Sequence, residues 1–262
     1  MENKETFDFI ASEYEKYRPT YPDELFTDLI DYSGIKPNAS ILEIGCGSGQ
    51  ATSSLVNRGY TNITCIELGS NLAKITSEKF VDYANLTVIN SSFEDWNAEE
   101  NTYDLAISAT AFHFIEPKYG YKKVRRLLRR TGSIGFFWIV HVQLYDQIHT
   151  EIRSIYQRYA PHLDDSIKAR PEEVIIERRR LTESNNLFEN IIVKEYRWMD
   201  TYSSDNYISL LNTHSKHQQL TEDIRNQLFY EMRNIIDKHG GFINKQQMVA
   251  LFLGKKFSVY GN

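Results

Sequence analysis

The chain has 262 residues, 41% of them apolar and 25% charged, with a formal net charge of -5. That length buries a full core without disulfide or metal staples, and the acidic balance gives no global attraction to nucleic acid or anionic lipid. No stretch approaches the roughly 20 apolar residues that span a bilayer, and the opening MENKETFDFIASEYEKY carries no apolar signal core.

In chain order, helical spacing first appears in YPDELFTDLIDYSG and stops at Gly34. A strand follows in SILEI, then a helix in GQATSSLVNRG ending at Gly59. NITCIE predicts a second strand and GSNLAKITSEKFVDYA a second helix. LTVIN, YDLAIS and SIGFFWIV predict three more strands, with the helix GYKKVRRLLRRTG before the last. Strands alternating with helices of this length imply a parallel sheet covered on both faces, with ligands at the carboxyl ends of its strands. From Leu144 to about Leu187 the chain reads as helical and charged; NIIVKEYRW, a helical stretch closed by Gly240 and Gly241, and a late strand in KQQMVALFLGKKF complete it. The two cysteines, Cys46 and Cys65, fall in or just after strand-like segments and read as reduced thiols, which suits a cytoplasmic chain.

The loop after the first strand carries chemistry. ILEIGCGSGQ places Gly45, Gly47 and Gly49 between a strand and a helix, where the backbone must turn with positive φ or let a ligand approach closely. A dinucleotide fingerprint needs a sixth-position glycine, and Gln50 stands there; the Gly-Lys-Ser/Thr ending of a phosphate loop is also absent. Glu43, just before the loop, suits a ligand with a cationic amino group and no phosphate. Glu67 ends the second strand, where an acid can take both hydroxyls of a ribose; a solvated strand end is the plainer reading of that residue alone.

LEIGCGSGQAT, IELGSNLA, FEDW, YDLAISATAFHFI and RRTGSIGFFW, in that order, resemble the class I S-adenosylmethionine-dependent methyltransferases. The chain is most similar to a small-molecule branch that opens FD-x-x-A-x-x-Y-x-x-x-RP-x-YP, seen here from Phe7 to Pro22, and that carries a late Y-x-x-LL-x-T-x-S, matched from Tyr207 to Ser215. The resemblance implies a Rossmann-like α/β fold: a seven-stranded, mostly parallel sheet with helices on both faces, a late antiparallel strand and a helical cap insertion. It implies one domain over 1–262, divided into lid helices (1–35), a cofactor-binding core (36–141), the helical cap insertion (142–187), and the end of the sheet with further cap helices (188–262).

S-adenosylmethionine is the implied cofactor. Gly45, Gly47 and Gly49, with Cys46 and Gln50 of the same loop, would pack on its methionine portion and sugar. Glu43 would face its amino group, Glu67 its ribose hydroxyls and Leu68 the adenine face. Many relatives place an aspartate on the adenine amino group; here Ser92 stands instead, with Phe93 beside it, and the Ser92 hydroxyl, the Phe93 amide or a shifted Glu94 are the alternatives. Ala109 would offer its carbonyl to the cofactor's amino group. The N-terminal region folds over the cofactor as a lid in the resembling family. That would bring Tyr14 and Arg18 to the methionine carboxylate or the acceptor, and Tyr17 and Tyr21 to the acceptor; a simple surface turn is the other reading.

Methyl transfer from a sulfonium is an in-line displacement that alignment and exclusion of water accelerate, and a base is required only if the acceptor must lose a proton. His113 follows the fourth strand and is either a catalytic candidate or a wall residue packed between aromatics. Arg197, on leaving the late strand, suits an anionic acceptor or an edge salt bridge, and Tyr202 and His214 join it as acceptor-side candidates. In KKVRRLLRR the apolar residues fit one helix stripe, so the basic residues read as a solvated face; ERRR at Glu177 to Arg180 reads as equally local. His214 and His217 lack the Cys or acid cluster of a metal site. The expectation is a methyltransferase acting on a small molecule, with no metal and no nucleic-acid or membrane partner. A macromolecular acceptor, such as tRNA or a protein, and a non-catalytic cofactor-binding protein are the alternatives.

Overall fold

The computed structural model describes residues 20–257. The strands are β1 (Ile41–Ile44), β2 (Ile63–Glu67), β3 (Leu86–Asn90), β4 (Tyr103–Ala109), β5 (Leu128–Ile139), β6 (Phe188–Ser203) and β7 (Phe242–Lys256). The helices are α1 (Asp23–Ser33), α2 (Gln50–Val56), α3 (Ser70–Lys79), α4 (Pro117–Leu127), α5 (Gln147–Tyr159), α6 (Pro171–Glu183), α7 (Ser204–Asn212), α8 (Ser215–Gln218) and α9 (Glu222–Lys238). The strands form one sheet in the order β3-β2-β1-β4-β5-β7-β6. β1 to β5 pair in parallel, and β7 runs antiparallel to β5 from Ser133 opposite Lys255 to Ile139 opposite Val249. The expected seven-stranded, mostly parallel sheet with a late antiparallel strand is therefore present. Its strand order reverses between β1 and β4, and that is where an open α/β sheet leaves a crevice at its carboxyl edge.

The described residues divide into two compact units, one of residues 20–139, 175–196 and 249–257 and another of residues 140–174 and 197–248. In the first, β1 is buried at every position, as a strand covered on both faces must be. α1 places Leu25, Phe26 and Leu29 on one buried stripe and ends at Gly34, whose φ of 68° allows the left-handed cap. It packs so closely that a Cβ on Gly135 of β5 would lie 2.1 Å from Leu29 Cδ1. The helix predicted over residues 120–132 stops at Leu127. Leu128 already opens β5, opposite Tyr103, and its extended backbone cannot continue the helix. At the other end, Glu116 caps α4 by accepting from the Lys118 and Tyr119 amides, and Pro117 occupies the first helical position.

The second unit has its own core. Ile152 and Tyr156 of α5, Leu211 of α7, and Leu228, Met232 and Ile236 of α9 form one buried cluster. On α9 the spacing of four residues between the buried positions puts all three on one face.

Candidate cofactor site

In the first unit, the loop between β1 and α2 turns on three left-handed glycines, Gly45 at φ 70°, Gly47 at φ 58° and Gly49 at φ 80°. The reason is partly internal to the fold. A Cβ on Gly45 would lie 2.4 Å from the Ala111 Cβ, and one on Gly49 would lie 2.7 Å from Phe80 Cε2. The loop is bare because its own neighbours crowd it, as well as for whatever a ligand requires. Cys46 is buried between these glycines, and hydrogen bonding to the Cys65 thiol, together with burial, pushes its pKa well above the usual thiol value. It stays a thiol.

Glu43 is fully buried on β1. Its Oε2 accepts from the Thr52 hydroxyl at 2.7 Å, and its Oε1 has no partner. Burial first, and the nearby charge of Glu67 second, push its pKa up to about 8 against the opposing Thr52 hydrogen bond. Ser48 Oγ and Gln50 Nε2, on the same loop and at the start of α2, are likewise buried without a hydrogen-bond partner. Three unsatisfied polar atoms within eight residues are costly unless something meets them.

Glu67 lies at the end of β2, as its position in NITCIE predicts, but its carboxylate is already engaged. Oε2 accepts from the Gly47 amide and Oε1 from the Gly69 amide, each at 2.8 Å. It thus ties the glycine loop to the turn after β2, so removing it disturbs the fold as well as any ligand. Leu68 follows, half-buried, with its carbonyl accepting from Asn90 Nδ2 at 2.8 Å. Ser92 closes a turn: its hydroxyl donates to Asp95 Oδ2 at 2.6 Å and accepts from the Asp95 amide at 3.0 Å. Phe93 is buried beside it.

The 93–96 turn is held by a residue that sequence reasoning placed on a solvated face. Lys123 is buried, and its ammonium donates to the carbonyls of Phe93 at 2.6 Å, Glu94 at 3.0 Å and Trp96. The helix stripe was read correctly for its apolar members; a lysine can join that stripe when three carbonyls receive its charge.

At the carboxyl end of β4, Ala109 is followed by Thr110 at φ 55°, a strained conformation for a β-branched residue. Three hydrogen-bonding contacts hold it there: its amide donates to Phe137 O at 2.7 Å, its Oγ1 accepts from the Ile139 amide at 3.2 Å, and Tyr21 Oη lies 3.3 Å from Oγ1. Tyr21 also packs edge-on to Phe137. No sequence signal marks Thr110. His113 sits on the short turn Phe112–Phe114, exposed to solvent, its ring 4.1 Å from that of Phe114. Desolvation by neighbouring atoms and the positive charge of Arg178 hold its pKa below the usual imidazole value, so it is neutral at pH 7. Arg178 itself, within the discounted ERRR, lies 5.2 Å over the Trp138 ring and has a buried Nε without a hydrogen-bond partner.

The remaining acceptor-side residues lie in the second unit or outside the described residues. His214 lines a cavity of about 310 Å³ there. Tyr202 donates to Asp200 Oδ2 at 3.1 Å and accepts from Gln247 Nε2 at 3.1 Å, and burial and Asp200 raise its pKa to about 12. Arg197 is exposed on β6 and does not line that cavity. Tyr14, Tyr17 and Arg18 lie outside the described residues.

Comparison with known proteins gives the site a context. Residues 41–132 match the family model of a methyltransferase domain. The chain is similar to a Saccharomyces cerevisiae protein named as a probable S-adenosylmethionine-dependent methyltransferase, 27% identical over 157 residues, 58% of this chain and 52% of that one. It is also similar to an rRNA adenine N-6-methyltransferase of Limosilactobacillus reuteri, 23% identical over 78% of this chain and 87% of that one. Among solved structures it shares a fold with Haemonchus contortus phosphoethanolamine N-methyltransferase 2 in complex with S-adenosylhomocysteine, at a TM-score of 0.55 and 13% identity, covering 96% of this chain and 58% of that chain. The chain spans about half the length of the first of its curated relatives.

S-adenosylmethionine ends in an amino-acid zwitterion, and the loop offers an unpartnered carboxylate oxygen at Glu43, an amide donor at Gln50 and the Ser48 hydroxyl. The residues present fit that group. Residues 41–132 match a methyltransferase domain, whose cofactor is S-adenosylmethionine, and the fold is shared with a solved methyltransferase.

Proposed function

We propose that this chain transfers a methyl group from S-adenosylmethionine to a small-molecule acceptor. The observation that carries the reading is Glu43 Oε1, a buried carboxylate oxygen without a partner at the start of a left-handed glycine loop. A cationic amino group is the partner that satisfies it and removes the cost of its burial. Glu67, whose carboxylate accepts from the Gly47 and Gly69 amides, would then hold the ribose hydroxyls. Leu68, Ser92 and Phe93 would border the adenine, and the Ala109 carbonyl would reach the amino group.

The bound cofactor supplies a methyl group on a sulfonium, a leaving group that needs no acid. The chain's own residues then have to orient, exclude water and, for an acceptor that carries a proton, remove it. His113 is neutral at pH 7 and can accept a hydrogen bond or a proton from an acceptor, but its depressed basicity suits positioning better than strong base catalysis. Tyr21 and the strained Thr110 would shape the same edge.

A ribosomal RNA acceptor, the one named for one of the relatives, would call for a basic surface, and the net charge of -5 gives that reading little support. The discriminating experiment incubates the protein with S-adenosylmethionine labelled with ¹³C at the methyl group and a cell extract, then partitions the products. Label in the low-molecular-mass fraction is the expected result. Label confined to RNA or protein would overturn the small-molecule reading, and label transferred nowhere would overturn the enzymatic one.

A further inference from the structure

The unit of residues 140–174 and 197–248 encloses a cavity of about 310 Å³, at the small end of the range of ligand pockets. One part of its wall is apolar, formed by Ile152, Leu163 and Leu211 with the ring of Tyr207. The rest is polar: beside four histidines, Lys168, Lys216, Lys245 and Arg153 line it, with Asp165 the one carboxylate among its described lining residues.

That carboxylate is already committed. Asp165 Oδ1 accepts from Arg153 Nε at 2.6 Å, and its Oδ2 lies 2.8 Å from His141 Nε2. Arg153 donates in addition to the Leu144 carbonyl, so this pair is spent on holding the wall together. Lys168 and Lys216 form no ion pair among the described residues. Lys216 lies near enough to disfavour the Lys168 charge, and desolvation by neighbouring atoms with that repulsion lowers the Lys168 pKa even though Asp165 and Asp164 oppose the shift. Lys168 and Lys245 also act on His141 as positive charges. The buried phenol of Tyr156 lies 2.8 Å from His217 Nε2, and burial keeps both Tyr156 and Tyr207 protonated, so neither adds negative charge.

Cations gathered around a cavity repel one another unless an anion is placed among them. A free inorganic anion would leave the apolar wall wet. We propose that this cavity binds a compact dicarboxylate with an apolar body, the carboxylates meeting Lys168 and Lys216 and the body lying on Ile152, Leu163, Leu211 and Tyr207. The binding involves this unit alone and does not depend on the proposed methyl transfer.

Isophthalate serves as the probe because it joins two carboxylates to a flat apolar ring, and isophthalamide as its uncharged counterpart. Each is titrated calorimetrically into the full chain, alone and with saturating S-adenosylhomocysteine. Isophthalate is expected to bind at least tenfold tighter than isophthalamide, and the advantage is expected to shrink as salt is raised. The double variant Lys168→Gln/Lys216→Gln, at two exposed positions where the fold is not at stake, is expected to lose at least tenfold in isophthalate affinity while keeping its melting temperature. Isophthalate binding no tighter than isophthalamide, or binding unmoved in the double variant, overturns the proposal. Failure of S-adenosylhomocysteine to bind is read separately in the same titrations and overturns the methyltransferase reading, leaving the dicarboxylate result to stand or fall alone.

Discussion

Replacing Glu43 by Gln tests the assignment of the loop most sharply. Glu43 is buried completely and its pKa is raised from 4.5 to about 8, mainly by burial, so at pH 7 roughly nine carboxyls in ten are protonated in the free protein. An ammonium group brought against Oε1 favours the charged form and lowers that pKa by about 1 to 3 units. Cofactor binding at pH 7 should then release roughly 0.4 to 0.9 protons per site. Calorimetry in phosphate and in Tris reads this directly, because the two buffers differ in ionisation enthalpy. In Glu43→Gln the release should vanish and affinity should drop about 10- to 150-fold, the worth of one charge-assisted hydrogen bond.

The same variant has a signature without cofactor. A carboxyl whose folded pKa lies above its unfolded one stabilises the fold fully below about pH 4.5, and that contribution is lost as pH rises through about 8. Above pH 8 Glu43→Gln should be the more stable protein, by a few kcal/mol and at most about 5. A proton release that persists unchanged in Glu43→Gln would refute the reasoning, as would tight wild-type binding with no release at all.

Gly45→Ala meets the Ala111 Cβ at 2.4 Å and a φ of 70°, so strain and overpacking together should cost about 2–5 kcal/mol in urea denaturation. Gly34→Ala has a similar φ of 68° and open space, and should cost only about 1–2 kcal/mol; equal costs would show that packing does not matter at Gly45. Lys123→Met strands three carbonyls and should lower stability by about 2–4 kcal/mol, and an unchanged denaturation midpoint would contradict its structural role. His113→Ala should lower turnover and leave S-adenosylmethionine affinity intact. Because the folded His113 pKa lies below 6.5, its neutral form persists as pH falls through that value, so turnover should not track an ordinary imidazole titration near pH 6.5. Such a titration in the wild type that His113→Ala abolishes would contradict the environment described for it.

The parallel sheet was legible because each buried strand is a short apolar run ending in a turn residue, and because Gly45, Gly47 and Gly49 mark a left-handed loop that few other residues can make. Glu43 and Glu67 were legible as acids at strand ends. What they touch was not: Thr52 lies nine residues from Glu43, so that bond depends on how α2 packs back on β1, and the Gly47 amide lies twenty residues from Glu67, so that one depends on the pairing of β1 with β2. Lys123 and Arg178 were misplaced for one reason. A charge run in sequence reads as solvated, and only the tertiary fold shows that three carbonyls or an indole face receive one of its members. The end of α4 was misjudged because Leu128 and the arginines after it are good helix formers, and pairing with Tyr103 overrides that preference. The cationic cavity is assembled from residues as far apart as His141 and Gln246, and no local pattern announces it.

The most direct measurement is a calorimetric titration of the purified chain with S-adenosylmethionine, S-adenosylhomocysteine and NAD in parallel. Micromolar binding of the two sulfur ligands, with none of NAD, is the result this account requires. Binding of NAD, or of none of the three, would contradict it.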